Sequence, residues 1–205
     1  MVTLAHFSFL LSDEDFYVLN THYDDRGIKA REKSSSLILS KIAPLTSSGK
    51  LVVALGDLNS PADEEGYRVL TGHRYVTAEL AVDAGLQAPL GKSVNTTNDK
   101  EGPTTFLDSR HALSLRPSLS SGGKKTRKMT LSATYGERNT YTGFSTWTRP
   151  TLIDYILLAD NWALQGKRAG EDGWGVVKYG VLPNHFDQGV WVSDHRMVVV
   201  TLRKV

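Results

Sequence analysis

Apolar residues fall into short runs separated by polar turn residues, and the runs differ in kind. Residues 7–11 and 16–20 are two such runs joined by Ser12-Asp13-Glu14-Asp15, which predicts a β-hairpin. From 28 to 43, Leu37, Ile38 and Ile42 sit among good helix formers. A helix is predicted there, stopping at Pro44, which has no amide hydrogen to continue it. Leu51-Val52-Val53-Ala54-Leu55 is apolar without alternation, the pattern of a strand buried on both faces. A short helix is predicted over 64–71, with Asp63 as its cap. Residues 140–144, 152–159, 175–182 and 195–202 are rich in Val, Ile, Thr and Tyr and read as strands.

Many strands and two helices, both in the first half, predict an α+β layered sandwich in a single domain, 1–205. The pattern lapses from 83 to 138, where Gly, Ser, Thr, Asn and Lys dominate, and we read a loop-rich insertion. Residues 116–128 hold five basic side chains and no acidic one. A solvated loop, poorly ordered over 118–128, explains that composition better than a dedicated nucleic-acid patch.

Composition narrows the function classes. At 205 residues and 40% apolar content the chain can bury a core, and a net charge of +2 announces no polyanionic partner. The absence of cysteine excludes disulfides, thiolate catalysis and Cys-ligated zinc. The start lacks a basic segment and its apolar run is broken by His6 and Ser8, so we expect no signal peptide and an intracellular, cytoplasmic location. The sequon Asn95-Thr96-Thr97 should then stay bare. No apolar run is long enough for a membrane segment.

Four stretches put acids, amides and histidines at the ends of apolar strands. They are Asn20-Thr21-His22, Gly56-Asp57-Leu58-Asn59, Ile153-Asp154-Tyr155-Ile156 and Ser193-Asp194-His195-Arg196. A strand end exposes a polar group while the strand fixes its position. Phosphoester hydrolysis needs hard oxygen ligands for Mg²⁺ or Mn²⁺, a base for water, and donors for the developing charge. Asp57, Asp154 and Asp194 can supply the first, His22 and His195 can act as acid, base or donor, and the Asn59 amide can donate. Taken singly, each is more often a turn residue, a cap or a structural histidine.

In their order, NTHYDD (20–25), GDLNSP (56–61), TYTGF (140–144), LIDYIL (152–157) and VSDHRMV (192–198) resemble the endonuclease/exonuclease/phosphatase superfamily. The resemblance implies a two-sheet, four-layer α/β sandwich and a divalent-metal-dependent phosphodiester hydrolase. An endonuclease or 3'-5' exonuclease acting on nucleic acid is the leading expectation. The alternatives are a phospholipid or phosphomonoester phosphatase, or an inactive partner-binding remnant. The resemblance further implies that His195 is the general base or the phosphate-facing imidazole, oriented by Asp154. Asp57 handles a proton, Asn59 holds the scissile phosphate, His22 contacts it from the opposite side, and Asp194 faces Mg²⁺ or Mn²⁺. His6, His73, His111 and His185 match no catalytic position.

The resemblance covers only the C-terminal half of such a domain. The N-terminal half, which supplies an Asn and a metal-binding Glu, has no counterpart in the 21 residues before His22. Glu14, in a hairpin turn, is a poor substitute. The chain alone is therefore expected to be weakly active or inactive, with the missing N-terminal half of the domain as a possible partner. The 51–55 and 195–202 strands are expected to need cover from outside the chain.

Overall fold

The structure is a computed structural model and describes residues 1–72, 105–112, 135–145, 147–160, 173–185 and 189–204. Its elements are β1 (Val2–Ser8), β2 (Asp15–His22), α1 (Ile28–Ser47), β3 (Leu51–Asp57), α2 (Glu65–Leu70), β4 (Phe106–Asp108), β5 (Tyr135–Gly136), β6 (Asp154–Ala159), β7 (Trp174–Val181) and β8 (Val198–Lys204). Five strands form one mixed sheet in the order β1-β2-β3-β6-β4, and three form a second, β5-β7-β8. This is the expected α+β arrangement of two sheets.

The hairpin of β1 and β2 pairs Val2 with Thr21 through to Ser8 with Asp15. α1 then carries the chain across so that β3 lies parallel to β2, and β6 returns antiparallel beside β3. Ile38 and Ile42 of α1 and Tyr67 and Leu70 of α2 share one core with Leu19, Val52, Ala54, Phe106, Tyr155 and Leu157. Full burial of each Leu, Ile, Val or Phe side chain among them contributes about 1.5–3 kcal/mol. The apolar run of β3 is buried from Leu51 to Ala54, as its unbroken pattern requires.

Three local expectations are corrected. Pro44 does not stop α1, which continues to Ser47. Proline's fixed φ is helical, the missing N–H costs one bond near the helix end, and the Ser48 amide and hydroxyl both reach the Pro44 carbonyl (3.2 and 2.8 Å). Asp63 does not cap α2: Glu64 occupies that position, and its carboxylate is drawn to buried Arg31 at 2.6 Å. Within the expected insertion, residues 106–108 form β4, buried at all three positions and paired to β6. The Asp108 carboxylate accepts the Tyr67 hydroxyl at 2.8 Å. Segment 118–128, His73 and the sequon lie outside the described residues.

β1 and β8 are sheet edges, and Val2, Leu4, Phe7 and Val199 are exposed on them. The turn of the first hairpin reaches the far end of the second sheet: Phe9 stacks on Trp174 at 5.8 Å, and Lys204 pairs with Glu14. Among the described residues, no helix is long and apolar enough to cross a membrane.

Candidate active site

Strand register builds the site. His22 ends β2, Asp57 ends β3 and Asp154 begins β6; His22 is paired with Asp57, and Asp57 with Asp154. Three titratable groups therefore form a row across three adjacent strands, at the spacing where cross-strand neighbours interact. Gly56 makes the approach possible. Its φ is +137°, and a side chain there would collide with the Thr21 carbonyl.

His195 completes the row from the loop before β8. Its Nδ1 lies 2.8 Å from Asp154 Oδ2, and its Nε2 lies 3.8 Å from Asp57 Oδ2. His22 Nε2 approaches the same Asp57 oxygen at 3.4 Å, so Asp57 sits between two imidazoles. Burial pushes the Asp57 carboxyl up from its ordinary value; the Asn59 amide bond offsets this, Asp154's charge adds to the rise, and His195 and His22 oppose it. A carboxyl that holds its proton longer than usual is suited to proton transfer.

The turn after β3 is fixed by its own side chains. Asp57 Oδ1 accepts the Asn59 backbone N–H at 2.7 Å, and Asn59 adopts a left-handed φ of 44°, which asparagine tolerates. Its side-chain amide donates to the Tyr23 carbonyl at 3.1 Å, leaving one further N–H to offer. Tyr23 also donates its own backbone N–H to Asp57 O at 2.9 Å. Its buried hydroxyl meets Ser35 at 2.8 Å, and burial pushes its phenol up to about 12. Sequence reasoning singled out NTHYDD without seeing that its tyrosine anchors the asparagine 36 residues later.

The structure thus brings together His22, Asp57, Asp154 and His195, with Asn59 on the adjoining turn. Among the described residues, Asp57, Asp154 and His195 form a group whose potential ligand atoms lie within 4.8 Å of one another. Asp194, expected to face the metal, is not in that group; its backbone carbonyl accepts the Thr142 amide at 2.8 Å. The donor set could hold a divalent cation, since the carboxylates of Asp57 and Asp154 are hard ligands. His195 Nδ1 is engaged by Asp154, which leaves Nε2 as its available ring nitrogen. His6, His111 and His185 have structural surroundings. His6 pairs with Asp15 at 2.7 Å, His185 packs on Trp191, and burial pulls the His111 imidazole down.

The sequence model of the Endonuclease/Exonuclease/phosphatase family matches residues 5–195. The chain belongs to that family. No curated protein matches it. Among solved structures it is similar to a family member from Bacteroides vulgatus, at 17% identity and a TM-score of 0.62, covering 98% of this chain and 54% of that one. A mannosyl-6-phosphatase from Bacteroides thetaiotaomicron VPI-5482 shares 18% identity at a TM-score of 0.61, with 98% and 56% covered. D. rerio TDP2, complexed with single strand DNA product, shares 15% identity at 0.50, with 98% and 61% covered. At these identities the likeness shows the fold alone, and this chain spans little more than half the length of each. The family's description covers endonucleases, exonucleases and phosphatases, all hydrolases, and selects no substrate.

Proposed function

We propose that the chain carries the catalytic residues of a phosphoester hydrolase whose substrate is a phosphodiester in nucleic acid. The observation that carries this reading is the 2.8 Å contact between His195 and Asp154, set beside Asp57 and His22 in one row. Asp154 holds the imidazole in one tautomer with Nε2 facing the reacting centre, so that His195 accepts a proton from water or steadies a phosphate oxygen. Asp57 serves as the second proton-handling group, and His22 protonates the leaving oxygen. Asn59 offers its remaining amide N–H to the phosphate.

Asp57 and Asp154 would hold a divalent ion, Mg²⁺ or Mn²⁺, with Asp194 a further candidate ligand. When bound, such an ion neutralises charge on the phosphate. Two carboxylates leave most of the ion's coordination to water, so binding by this chain alone should be weak. The polypeptide corresponding to the rest of the solved relatives is then the partner that strengthens it.

A phosphomonoester is the second reading, favoured by the fold likeness to a mannosyl-6-phosphatase. Single-stranded RNA, duplex DNA, sphingomyelin and a sugar phosphate should be assayed side by side, with and without Mg²⁺. Cleavage of nucleic acid, even if slow, is expected, and His195→Ala should lower it by about 10²–10⁴-fold. Turnover of the sugar phosphate alone would move the reading to the phosphatase. Activity unaffected by His195→Ala would end both readings.

A further inference from the structure

The Asp154–His195 contact joins two segments that belong to different sheets: β6 of the five-stranded sheet and the loop entering β8 of the other. Something must hold the two in register, because an imidazole–carboxylate hydrogen bond tolerates only a few tenths of an ångström of drift. The stretch Thr140-Tyr141-Thr142 touches both sides. The Thr140 hydroxyl accepts the backbone N–H of Ile153 (3.1 Å) and of Asp154 (3.0 Å), so it fixes the residue on which the catalytic carboxylate stands. The carbonyl of the same residue accepts the Arg196 N–H at 2.6 Å, one residue beyond His195.

The two following residues repeat the grip. Tyr141 forms bridges to both Thr151 and His195, and its ring lies 5.1 Å from the imidazole. Thr142 donates its amide to the Asp194 carbonyl at 2.8 Å, and its hydroxyl meets the same carbonyl at 3.1 Å. Asn184, itself buried, donates to the Thr142 hydroxyl and to the Ser193 carbonyl, both at 2.8 Å. Thr140 is fully buried, so water cannot substitute for its hydroxyl.

We infer that the 140–142 segment is a two-sided clamp that sets the Asp154–His195 separation, with the Thr140 hydroxyl as its positioning residue. Thr140 touches no reacting atom; it acts through the Asp154 backbone. The catalytic meaning of the clamp rests on the phosphoester-hydrolase reading, whereas the clamp itself is a statement about geometry and can be tested without turnover.

The test uses the full 205-residue chain, labelled with ¹⁵N, and observes the hydrogen-bonded imidazole N–H of His195, assigned by its loss in His195→Gln. In the unsubstituted chain this proton should resonate far downfield of the amides and exchange slowly with solvent. Thr140→Val keeps the shape and removes the hydroxyl. It should stay folded by circular dichroism yet lose the signal or exchange it at least about tenfold faster. Thr140→Ser, which keeps the hydroxyl, should retain the signal.

If Thr140→Val does not fold, Thr142→Val attacks the other jaw and should accelerate exchange of the same proton. No imidazole signal in the unsubstituted chain overturns the proposal. So does a folded Thr140→Val, or Thr142→Val in its place, with unchanged shift and exchange. Where the chain hydrolyses a phosphodiester, Thr140→Val should lower kcat by about 100-fold with KM little changed, as expected for misplacement of a catalytic group. Absence of hydrolysis in the unsubstituted chain would count against the hydrolase reading and leave the spectroscopic result standing.

Discussion

Leu51-Val52-Val53-Ala54 in β3 and Val198-Val199-Val200 in β8 are equally apolar, yet the first is buried throughout and the second only in part. β3 lies between β2 and β6 with the helical layer packed over its sheet; among the described residues β8 is an edge paired to β7. An apolar run therefore states what a strand can bury, and its neighbours decide what it does bury. Of the two strands expected to need outside cover, β3 is covered within the chain and β8 is only partly buried. The site straddles this contrast, with Asp57 and Asp154 on the covered sheet and His195 at the entrance to the open one.

The contrast can be broken or sharpened by measurement. Leu157 in β6 is almost inaccessible to solvent, so Leu157→Ala should cost about 2–5 kcal/mol in denaturant unfolding, through lost burial and the cavity left behind. A loss no larger than that of a surface substitution would show that the five-stranded sheet is not the stable unit. Native-state hydrogen exchange should separate the two strands next. Amides of β3 should open with the whole domain, and those of β8 at a free energy lower by on the order of 3 kcal/mol. Equal protection would mean that the open edge is covered in solution.

A smaller effect is expected at the seam. Asp57 has its pKa raised by burial, so the native state holds that proton more tightly than the unfolded chain. Stability should fall as pH rises from the ordinary carboxylate value through the raised one, and remain lower above it. Asp57→Asn should remove that dependence and raise the melting temperature at neutral pH; under the proposed function it should also abolish any hydrolysis. A melting temperature that drops, or a pH dependence that persists, would contradict this assignment. The smallest change is predicted for Val199→Thr on the exposed edge, within about 0.5 kcal/mol by thermal melting. A marked loss there would place Val199 in a hidden interface.

Much of the site was legible because each of its residues ends an apolar run, and strand ends are visible in one dimension. His22, Asp57, Asp154 and His195 were found that way. The residues that hold them were not. Thr140 and Thr142 read as strand formers, but their backbone groups serve Thr151, Arg196 and Asp194 rather than a named ladder. Their role depends on partners from 11 to 56 residues away, a distance no local pattern encodes. β4 escaped notice for a related reason: three residues within a polar stretch carry no periodicity, and Phe106 is fixed by its place beside β6. The Asp63 cap failed because Arg31, distant in sequence, claims the neighbouring glutamate.

The contact between Glu14 and Lys204 joins residues 190 apart, close to the whole length of the chain. Gathering such distant segments carries a loop-closure cost that rises with the logarithm of their separation, and contacts of this span slow folding. The hairpin and α1 can organise within the first fifty residues, whereas that contact waits for almost all of the chain. Time-resolved folding should therefore show the five-stranded sheet forming ahead of the β8 edge, and the imidazole of His195 reaching Asp154 among the last events.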